Sequence, residues 1–351
     1  MKLTLVGDFL FESPFYTSVN NGYDMNKYFS LVKDRFIDDD LTIGNMEVVI
    51  GNDKLEVSGD GYNFCAPSYI GDLVSSLDFQ VLATANNHSY DRGVEGIKST
   101  LEYFKNTDIL TVGTYLDDQD KSERRILEIN GVKFGFLSYT YGTNIKVPEN
   151  FRNMISLYRN VETHEFDDEH KELIKSEIEN IRSDVDVLIV MMHWGTEFTY
   201  EPNSEQKEIA NFLNKQGVDI IYGSHSHSIQ PIEIIGDEHK TLVYYSLGNF
   251  VSNDDDIART PKGQETFDNA YQVGLLSTLN IEIDKDKKIT FKDVKAEAIV
   301  NYFDNNLNNW LLIPFDQYDK THEVSHLRYN LGLNKEFIND MYESVISEEY
   351  R

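Results

Sequence analysis

The chain has 351 residues, of which 40% are hydrophobic and 12% aromatic, so it can bury a large core and global disorder is excluded. Its formal net charge of −28 argues against non-specific binding to nucleic acid and against docking on anionic lipid, because both need a basic surface. The simplest explanation of this charge is solubility, and the alternative is a protein whose divalent cations offset local negative charge.

Strand and helix patterns alternate along the first two-thirds of the chain. Buried strands are predicted at residues 2–6, 40–44, 80–85, 109–113, 186–193 and 219–223, and helices at residues 66–79, 93–106, 164–183 and 204–217. Hairpins are predicted at residues 125–140, 232–250 and 275–300, the first around Asn130-Gly131. Helices and irregular chain are expected after residue 300. The alternation predicts βαβ units, and the hairpins make the sheets mixed.

Polar clusters follow most of these strands. They are Gly7-Asp8, Gly44-Asn45-Met46-Glu47, Asn86-Asn87-His88 with Asp91, His193-Trp194-Gly195 with Glu197, and Gly223-Ser224-His225-Ser226-His227, with Ser246-Leu247-Gly248-Asn249-Phe250 after a hairpin strand. Ligands of open α/β sheets collect at the carboxyl ends of strands, so clusters that are distant in sequence can converge. Carboxylates, an amide oxygen and neutral imidazoles are the ligands that a divalent-metal hydrolase needs.

Single residues of these clusters also have simpler explanations. Asp8 alone is typical of a turn or helix cap, Glu47 of a solvated glutamate, and His193 of a core histidine. The His225-x-His227 pair and the Asn86-Asn87-His88-x-x-Asp91 block favour a site, and agreement between five strand ends by chance is improbable. The other histidines are predicted to lie on the surface, and they are His164, His170, His239, His322 and His326.

Six segments carry a family resemblance: GDFLF, GNMEVVI, ATANNHSYDRGVEGIKSTLEYF, MMHWGTEF, YGSHSHSIQPIE and YYSLGNFV. They resemble the CapA family of bacterial poly-γ-glutamate capsule proteins, within the calcineurin-like metallophosphatase superfamily. The resemblance implies an α/β fold, a four-layer αββα metallophosphatase-like sandwich with mixed sheets and a metal site along one edge. The CapA-like domain is predicted to span residues 1–255. Residues 256–351 are predicted to add strands that complete the sandwich and a helical or irregular appendage.

The resemblance also implies a role for each matching residue. The implied metal ligands are Asp8, Glu47, Asn87, His193, His225 and His227, with Glu47 at the bridging position. His88 is expected to contact the leaving group or phosphate as a catalytic residue, and Asp91 to orient its imidazole. Substrate contacts are expected from Arg92, Trp194, Glu197 and Asn249.

One position departs from the superfamily pattern. Its first motif is Asp-x-His, which reads Asp8-Phe9-Leu10 here, and the Leu10 side chain cannot bind a metal. One or two divalent ions are therefore expected, with the ion nearest Asp8 held more weakly than the ion near His193 and His225. Mn, Fe, Zn and Mg all fit these ligands.

Two functions stay open at this stage. The first is a metal-dependent phosphoesterase or hydrolase, linked to poly-γ-glutamate or another cell-envelope polymer, with a phosphate ester or γ-glutamyl polymer as substrate. The second is a non-catalytic, polymer-handling protein of capsule biosynthesis that binds poly-γ-glutamate through the metal site. No nucleic-acid partner is expected, and the oligomeric state is not predicted. The sequence shows neither a signal peptide nor a membrane-spanning segment, so a cytoplasmic location is expected, or envelope association if a leader or anchor has been removed.

Overall fold

The computed structural model describes residues 1–60, 63–253, 269–285 and 287–351. Its strands are β1 Lys2–Leu10, β2 Leu41–Met46, β3 Val49–Ile50, β4 Ser58–Asp60, β5 Asn63–Ala66, β6 Val81–Ala83, β7 Leu110–Val112, β8 Arg125–Ile129, β9 Val132–Thr140, β10 Val187–His193, β11 Ile220–Ser224, β12 Ile232–Ile235, β13 Thr241–Tyr244, β14 Asn249–Ser252, β15 Val273–Ile283, β16 Ile289–Phe303 and β17 Trp310–Pro314. Its α-helices are α1 Ser13–Asn20, α2 Ser68–Ser75, α3 Gly93–Phe104, α4 Asp118–Ser122, α5 Asp168–Arg182, α6 Ser204–Lys215, α7 Lys320–Ser325 and α8 Lys335–Val345. Short 3-10 helices lie at Met25–Lys27, Lys33–Arg35, Glu149–Met154, Phe315–Gln317, Tyr329–Leu331 and Glu348–Tyr350.

The strands form two large mixed sheets and one small sheet. The larger sheet has the order β17-β16-β15-β1-β2-β6-β7, with β14 also paired to β1. Strands β1, β2, β6 and β7 are parallel to one another, whereas β15, β16 and β17 add antiparallel pairs. The second sheet has the order β12-β13-β11-β10-β9-β8, with a parallel centre and an antiparallel pair at each edge. The small sheet has the order β3-β5-β4.

The two large sheets stack face to face, with helices on their outer faces. Alternation along β1 shows this arrangement, because Leu3 and Leu5 pack against residues of the second sheet such as Phe136 and Ile189. Val6 instead packs with Leu73 of α2 on the outer face of the larger sheet. On the outer face of the second sheet, side chains of β10 and β11 pack against apolar residues of α5 and α6. The predicted four-layer αββα arrangement with mixed sheets is therefore observed.

The structure corrects several sequence-based expectations. Strand β1 does not stop at Gly7-Asp8 but continues to Leu10, because β14 pairs with its end in parallel. Strand β17 lies in a segment that was expected to be helical or irregular. The surface prediction is wrong for His326, which is 0% exposed. Its Nε2–H donates to the Asn301 carbonyl and its Nδ1 accepts from the Arg328 amide.

The predicted domain boundary between residues 255 and 256 lies outside the described residues, so it stays a prediction. Strands β15 to β17, which follow that boundary in sequence, belong to the same sheet as β1. Within the described ranges, the helices are all too short or too polar to cross a membrane.

Candidate metal centre

The carboxyl ends of strands from both large sheets meet at one edge of the sandwich. Asp8 lies in β1 and is paired with Asn45 of β2, while Glu47 directly follows β2. From the second sheet, His193 ends β10 and is paired with Ser224 at the end of β11. The Tyr222 hydroxyl donates to the Val6 carbonyl at 2.7 Å and so ties the two sheets together beneath this edge.

Two glycines allow the close backbone approach that this edge requires. A Cβ atom on Gly7 would lie 1.9 Å from the Gly248 carbonyl oxygen, and one on Gly223 would lie 2.1 Å from the Tyr245 carbonyl oxygen. Side chains at either position would push neighbouring strands apart. The glycines that precede Asp8 and the histidine pair are thus required by packing.

The backbone at His225 and His227 is strained. Their φ angles are 92° and 49°, a region that residues with a Cβ atom seldom adopt. Such conformations persist where the surrounding structure fixes them, and they concentrate at functional sites. Here the His225 amide donates to Asp8 Oδ2 at 3.1 Å, which links the strained segment to β1.

Five of the six predicted ligands form two groups that could each hold a metal ion. One group is Asp8, Glu47 and His193, and the other is Glu47, His225 and His227. Within each group the ligand atoms lie within 4.8 Å of one another, and all five residues are buried. Glu47 belongs to both groups, as a bridging carboxylate would. The sixth residue, Asn87, is adjacent, with its Oδ1 2.7 Å from His193 Nε2.

The grouping differs from the expected one in a single respect. The sequence pattern places His193 with His225, whereas in the structure His193 shares its group with Asp8. Leu10 is 3% exposed and packs with Phe9 in the hydrophobic cluster outside the larger sheet, so it lies apart from both groups. The Asp8 group therefore draws its imidazole from the second sheet.

Burial controls the charge of these side chains. Burial raises the pKa of Asp8 well above its usual range, and the neighbouring Glu47 carboxylate raises it further. Burial also raises the pKa of Glu47, although nearby His227 opposes this. Burial lowers the pKa of His193 and of His225 well below the usual range, so both imidazoles are neutral and able to bind a metal.

His227 behaves differently from the other two histidines. Burial alone would lower its pKa, but the carboxylates of Glu47 and Asp8 raise it above its usual value. Its Nδ1 lies 2.9 Å from Asn249 Oδ1, an oxygen that can only accept, so Nδ1–H donates to it. This bond directs Nε2 towards Glu47 Oε1, which lies 3.8 Å away.

Buried polar atoms without hydrogen-bond partners indicate that these residues fit a cation. Glu47 Oε1 and His225 Nδ1 are both fully buried and have no hydrogen-bond partner. Glu47 Oε1 instead faces two imidazole nitrogens, His193 Nε2 at 3.3 Å and His227 Nε2 at 3.8 Å. Buried polar groups are normally satisfied, because leaving one unpaired costs about 1–3 kcal/mol. A divalent ion would satisfy both atoms, since a carboxylate oxygen and a neutral imidazole nitrogen are its usual ligands.

His88 and Asp91 form a hydrogen-bonded pair beside the two groups. His88 Nδ1 lies 2.7 Å from Asp91 Oδ2, which also accepts from the Phe64 amide at 2.5 Å. The Phe64 ring packs edge-on against the imidazole at 4.5 Å between centroids. Nε2 is left for the other side of the ring, where Asn144 Nδ2 approaches within 3.4 Å.

The residues expected to contact the substrate lie in different environments. Glu197 is exposed, and its carboxylate raises the pKa of His227 as a minor contribution. Arg92 donates to the Glu56 carbonyl and to Ser58, so its guanidinium is engaged within the protein. Trp194 is 0% exposed and stacks on Tyr245 in the core. The substrate contact expected of Trp194 stays a prediction, and in this structure its ring is covered by the packing of the second sheet.

Asn249 also has a different environment from the expected one. It is 0% exposed and bonds both His227 and the Tyr271 carbonyl. Asn249 is thus placed to orient the metal-ligand candidate His227. None of its surface is exposed for the expected contact with a substrate.

Four neighbours of the centre had no predicted role, and they are Asn45, Tyr141, Asn144 and Ser224, although Asn45 and Ser224 belong to the predicted polar clusters. Asn45 Nδ2 donates to Asp8 Oδ1 at 2.7 Å, and Ser224 Oγ lies 2.9 Å from His193 Nδ1. The Tyr141 ring lies 4.6 Å from that of His225 between centroids. Tyr141 and Asn144 follow the end of β9, which is parallel to β10, so the strand-end rule already pointed to them.

The profile of the family described as "Bacterial capsule synthesis protein PGA_cap" matches residues 2–254. The chain belongs to the PGA_cap family. The recognition drawn from the six sequence segments is therefore confirmed, and the match includes every predicted site residue of this PGA_cap protein.

Individual relatives cover the PGA_cap protein less completely. The "PGA biosynthesis protein CapA" of Bacillus subtilis (strain 168) is 32% identical over 183 residues, which are 51% of this chain and 44% of that protein. The "Capsule biosynthesis protein CapA" of Bacillus anthracis is 27% identical over 256 residues, which are 72% of this chain and 59% of that protein. The chain thus spans about half the length of these relatives.

One solved structure is similar over most of the chain. A hypothetical protein from Thermus thermophilus aligns with 85% of this PGA_cap protein and 99% of its own length, at 14% identity and a TM-score of 0.47.

Proposed function

We propose that this protein is a metal-dependent phosphoesterase or related hydrolase that acts in the metabolism of a bacterial capsule polymer, poly-γ-glutamate or another envelope polymer. The observation that carries the proposal is the pair of buried groups that share Glu47, in which Glu47 Oε1 and His225 Nδ1 have no hydrogen-bond partner. The link to a capsule polymer rests on the family and on the names of the two Bacillus relatives.

The residues divide into those that hold a cation and those that handle protons. Asp8, Glu47 and His193 would hold one ion, with Asn87 beside them, and Glu47, His225 and His227 would hold a second. A divalent cation bound there would polarise a phosphoryl or acyl oxygen and lower the pKa of a water molecule. Mn, Fe, Zn and Mg all suit this mixture of oxygen and nitrogen ligands.

His88 would deliver a proton to the leaving group. Its Nδ1–H donates to Asp91 Oδ2 at 2.7 Å, and this carboxylate fixes the tautomer and the orientation of the ring. Phe64 packs against the imidazole and limits its rotation, so that Nε2 faces the side on which Asn144 and Asn87 lie. A positioned general acid of this kind contributes about 10²–10⁴-fold in rate.

A screen of phosphate esters with measured metal content tests the proposal. Wild-type protein with added Mn²⁺, Fe²⁺, Zn²⁺ or Mg²⁺ is expected to hydrolyse p-nitrophenyl phosphate or bis-p-nitrophenyl phosphate. His88→Ala should keep the metal but lose about 10²–10⁴-fold in turnover, whereas His225→Ala should lose the ion of the group formed by Glu47, His225 and His227. If His88→Ala also strips the metal, His88 is a ligand and the assignment of roles fails.

The second candidate function is binding without turnover. The two Bacillus relatives are named for biosynthesis, not for hydrolysis, and a bound cation could hold glutamate carboxylates. Full metal occupancy without hydrolysis of any ester tested would favour this function. In that case metal-dependent retention of poly-γ-glutamate by the wild type, and its loss in His225→Ala, would be the measurement that supports it.

A further inference from the structure

A cavity of about 280 Å³ lies directly beside the metal centre. Tyr141 and Asn144 belong to its wall and also contact the centre. The Tyr141 ring lies 4.6 Å from that of His225, and Asn144 Nδ2 lies 3.4 Å from His88 Nε2. A molecule in the cavity is therefore one side chain away from both the ligand histidines and the His88–Asp91 pair.

The cavity is built from one connection, residues 141–167, between β9 and α5. Connections of this length with little regular structure are uncommon in compact domains unless they serve a function. This one is fixed to the body of the protein at several points. The Asn144 amide donates to the Asn87 carbonyl at 2.8 Å, and Ile155 forms a β-bridge with Thr114.

The lining combines apolar and cationic side chains. Its apolar part comprises Val147, Ile155, Leu157 and Val161, and its charged part Lys146, Arg152, Arg159 and a single carboxylate, Glu162. An excess of cations is unusual for a chain with a net charge of −28. Such a lining suits a ligand that carries both methylene groups and a negative charge.

Glu162 indicates the kind of anion that the cations accept. Its Oε1 accepts from Arg152 Nη2 at 3.2 Å and from Lys146 Nζ at 3.5 Å. Its side chain is 60% exposed, so solvent weakens both ion pairs and an incoming carboxylate can compete with it. The Arg159 guanidinium does not pair with Glu162 but forms an ion pair with Glu205 and lies 5.1 Å from the Tyr141 ring centroid.

We propose that this cavity is a binding subsite for a short aliphatic carboxylate, with Lys146 and Arg152 as the charge-recognising residues and the four apolar side chains as the surface for the methylene groups. The subsite rests on the proposed function in that the bound group would be part of the molecule presented to the metal centre. Arg159 holds Tyr141 between the cavity and the ligand histidines, and Glu162 lowers the affinity by competing for the same cations.

Glutarate, acetate and inorganic phosphate are suitable probes, measured by ligand-observed NMR titration against the full chain. Glutarate should bind more tightly than acetate, by about fourfold for each additional methylene that is buried. It should also bind more tightly than phosphate, which has no methylene group. No glutarate binding, or phosphate binding of equal strength, would overturn the proposal.

Variants expected to weaken glutarate binding and a variant expected to strengthen it test the assigned residues. Lys146→Gln with Arg152→Gln should weaken glutarate binding by about fivefold for each lost cation, and Glu162→Gln should strengthen it. A matched double variant, Lys98→Gln with Lys292→Gln, removes two exposed lysines elsewhere and should bind as the wild type does. Unchanged binding in both cavity variants would refute the roles of these residues.

Measuring with and without Mn²⁺ separates the two proposals. Glutarate binding to chelator-treated protein that depends on Lys146 and Arg152 supports the subsite even if no ester is hydrolysed. The other outcome is that the variant with Lys146→Gln and Arg152→Gln takes up Mn²⁺, hydrolyses esters and binds glutarate as the wild type does. That result would refute the subsite and leave the proposed function intact.

Discussion

Glu47→Gln is the sharpest perturbation of the proposed metal centre, because Glu47 belongs to both ligand groups. The substitution is nearly isosteric and keeps an oxygen that can accept from Asn45 Nδ2. It removes the negative charge that both ions would share. We therefore expect a selective loss of metal binding in a protein that still folds.

The size of the effect follows from linkage. A metal at 100 times its dissociation constant stabilises the folded state by about 2.7 kcal/mol. With an unfolding entropy of about 2.1 cal/mol/K per residue, a chain of 351 residues should melt about 4 °C higher. If Glu47→Gln lowers the affinity about 100-fold, the remaining stabilisation at that metal concentration is about 0.4 kcal/mol, and the shift falls below about 1 °C.

Without metal, Glu47→Gln is expected to change the melting temperature in the opposite direction. Asp8 and Glu47 are both 0% exposed, and placing two neighbouring carboxylates in the interior is unfavourable when no cation offsets them. Chelator-treated Glu47→Gln should therefore melt at the wild-type temperature or above it.

The assay is thermal unfolding of chelator-treated protein, without metal and with Mn²⁺, Fe²⁺, Zn²⁺ or Mg²⁺. Glu128→Gln is the control, since Glu128 is exposed on β8 far from the centre, and it should keep the full shift. A full metal-induced shift in Glu47→Gln would refute the shared-carboxylate interpretation. A wild-type protein that shows no shift with any of the four candidate metals would refute the metal centre itself.

Three further predictions follow from contacts around and outside the centre. Asp91→Asn should keep the metal and lower turnover by about 10–100-fold, because Asp91 only orients the His88 imidazole. This loss should be smaller than that in His88→Ala, and equal losses in the two variants would contradict the assigned role. Asn249→Ala should weaken metal affinity by about 10–100-fold in a direct titration, because His227 Nδ1 loses its acceptor. Burial lowers the pKa of His326 to about 4, so the unfolded chain binds the proton more readily and stability should fall as the pH drops from about 6.5 to about 4. Urea unfolding of chelated protein should show about 2–3 kcal/mol less stability at pH 4.5 than at pH 7 from this histidine, a difference that His326→Gln should lack.

The strand ends of the centre were predictable because their signal is local. Each apolar run stops at a polar cluster, and parallel strands bring such clusters to the same edge of a sheet. The clusters that contain Asp8, Glu47, His193, His225 and His227 could therefore be located before any geometry was known, and the family resemblance implied which of their residues are ligands. Their roles as metal ligands stay predictions until a metal is measured.

Other features depend on contacts that no local pattern records. His326 lies in a charged segment, yet its ring is buried because β16 supplies an acceptor and the Arg328 amide a donor. Trp194 belongs to a family motif, but alternation along β10 turns its ring away from His193 and into the core. The grouping of His193 with Asp8 similarly depends on how the two sheets stack, which the order of motifs does not specify.

The acidity of the chain has a different meaning at the surface and at the centre. The sequence has 60 Asp and Glu residues against 32 Lys and Arg, yet just two of these carboxylates, Asp8 and Glu47, lie in the ligand groups found among the described residues. Net charge therefore says little about metal binding, which depends on those two carboxylates being fully buried. The same surplus bears on the proposed carboxylate subsite, in which Lys146 and Arg152 would recognise the charge. Most of the acidic surface repels an anionic substrate, so local cations beside the centre would select where that substrate binds.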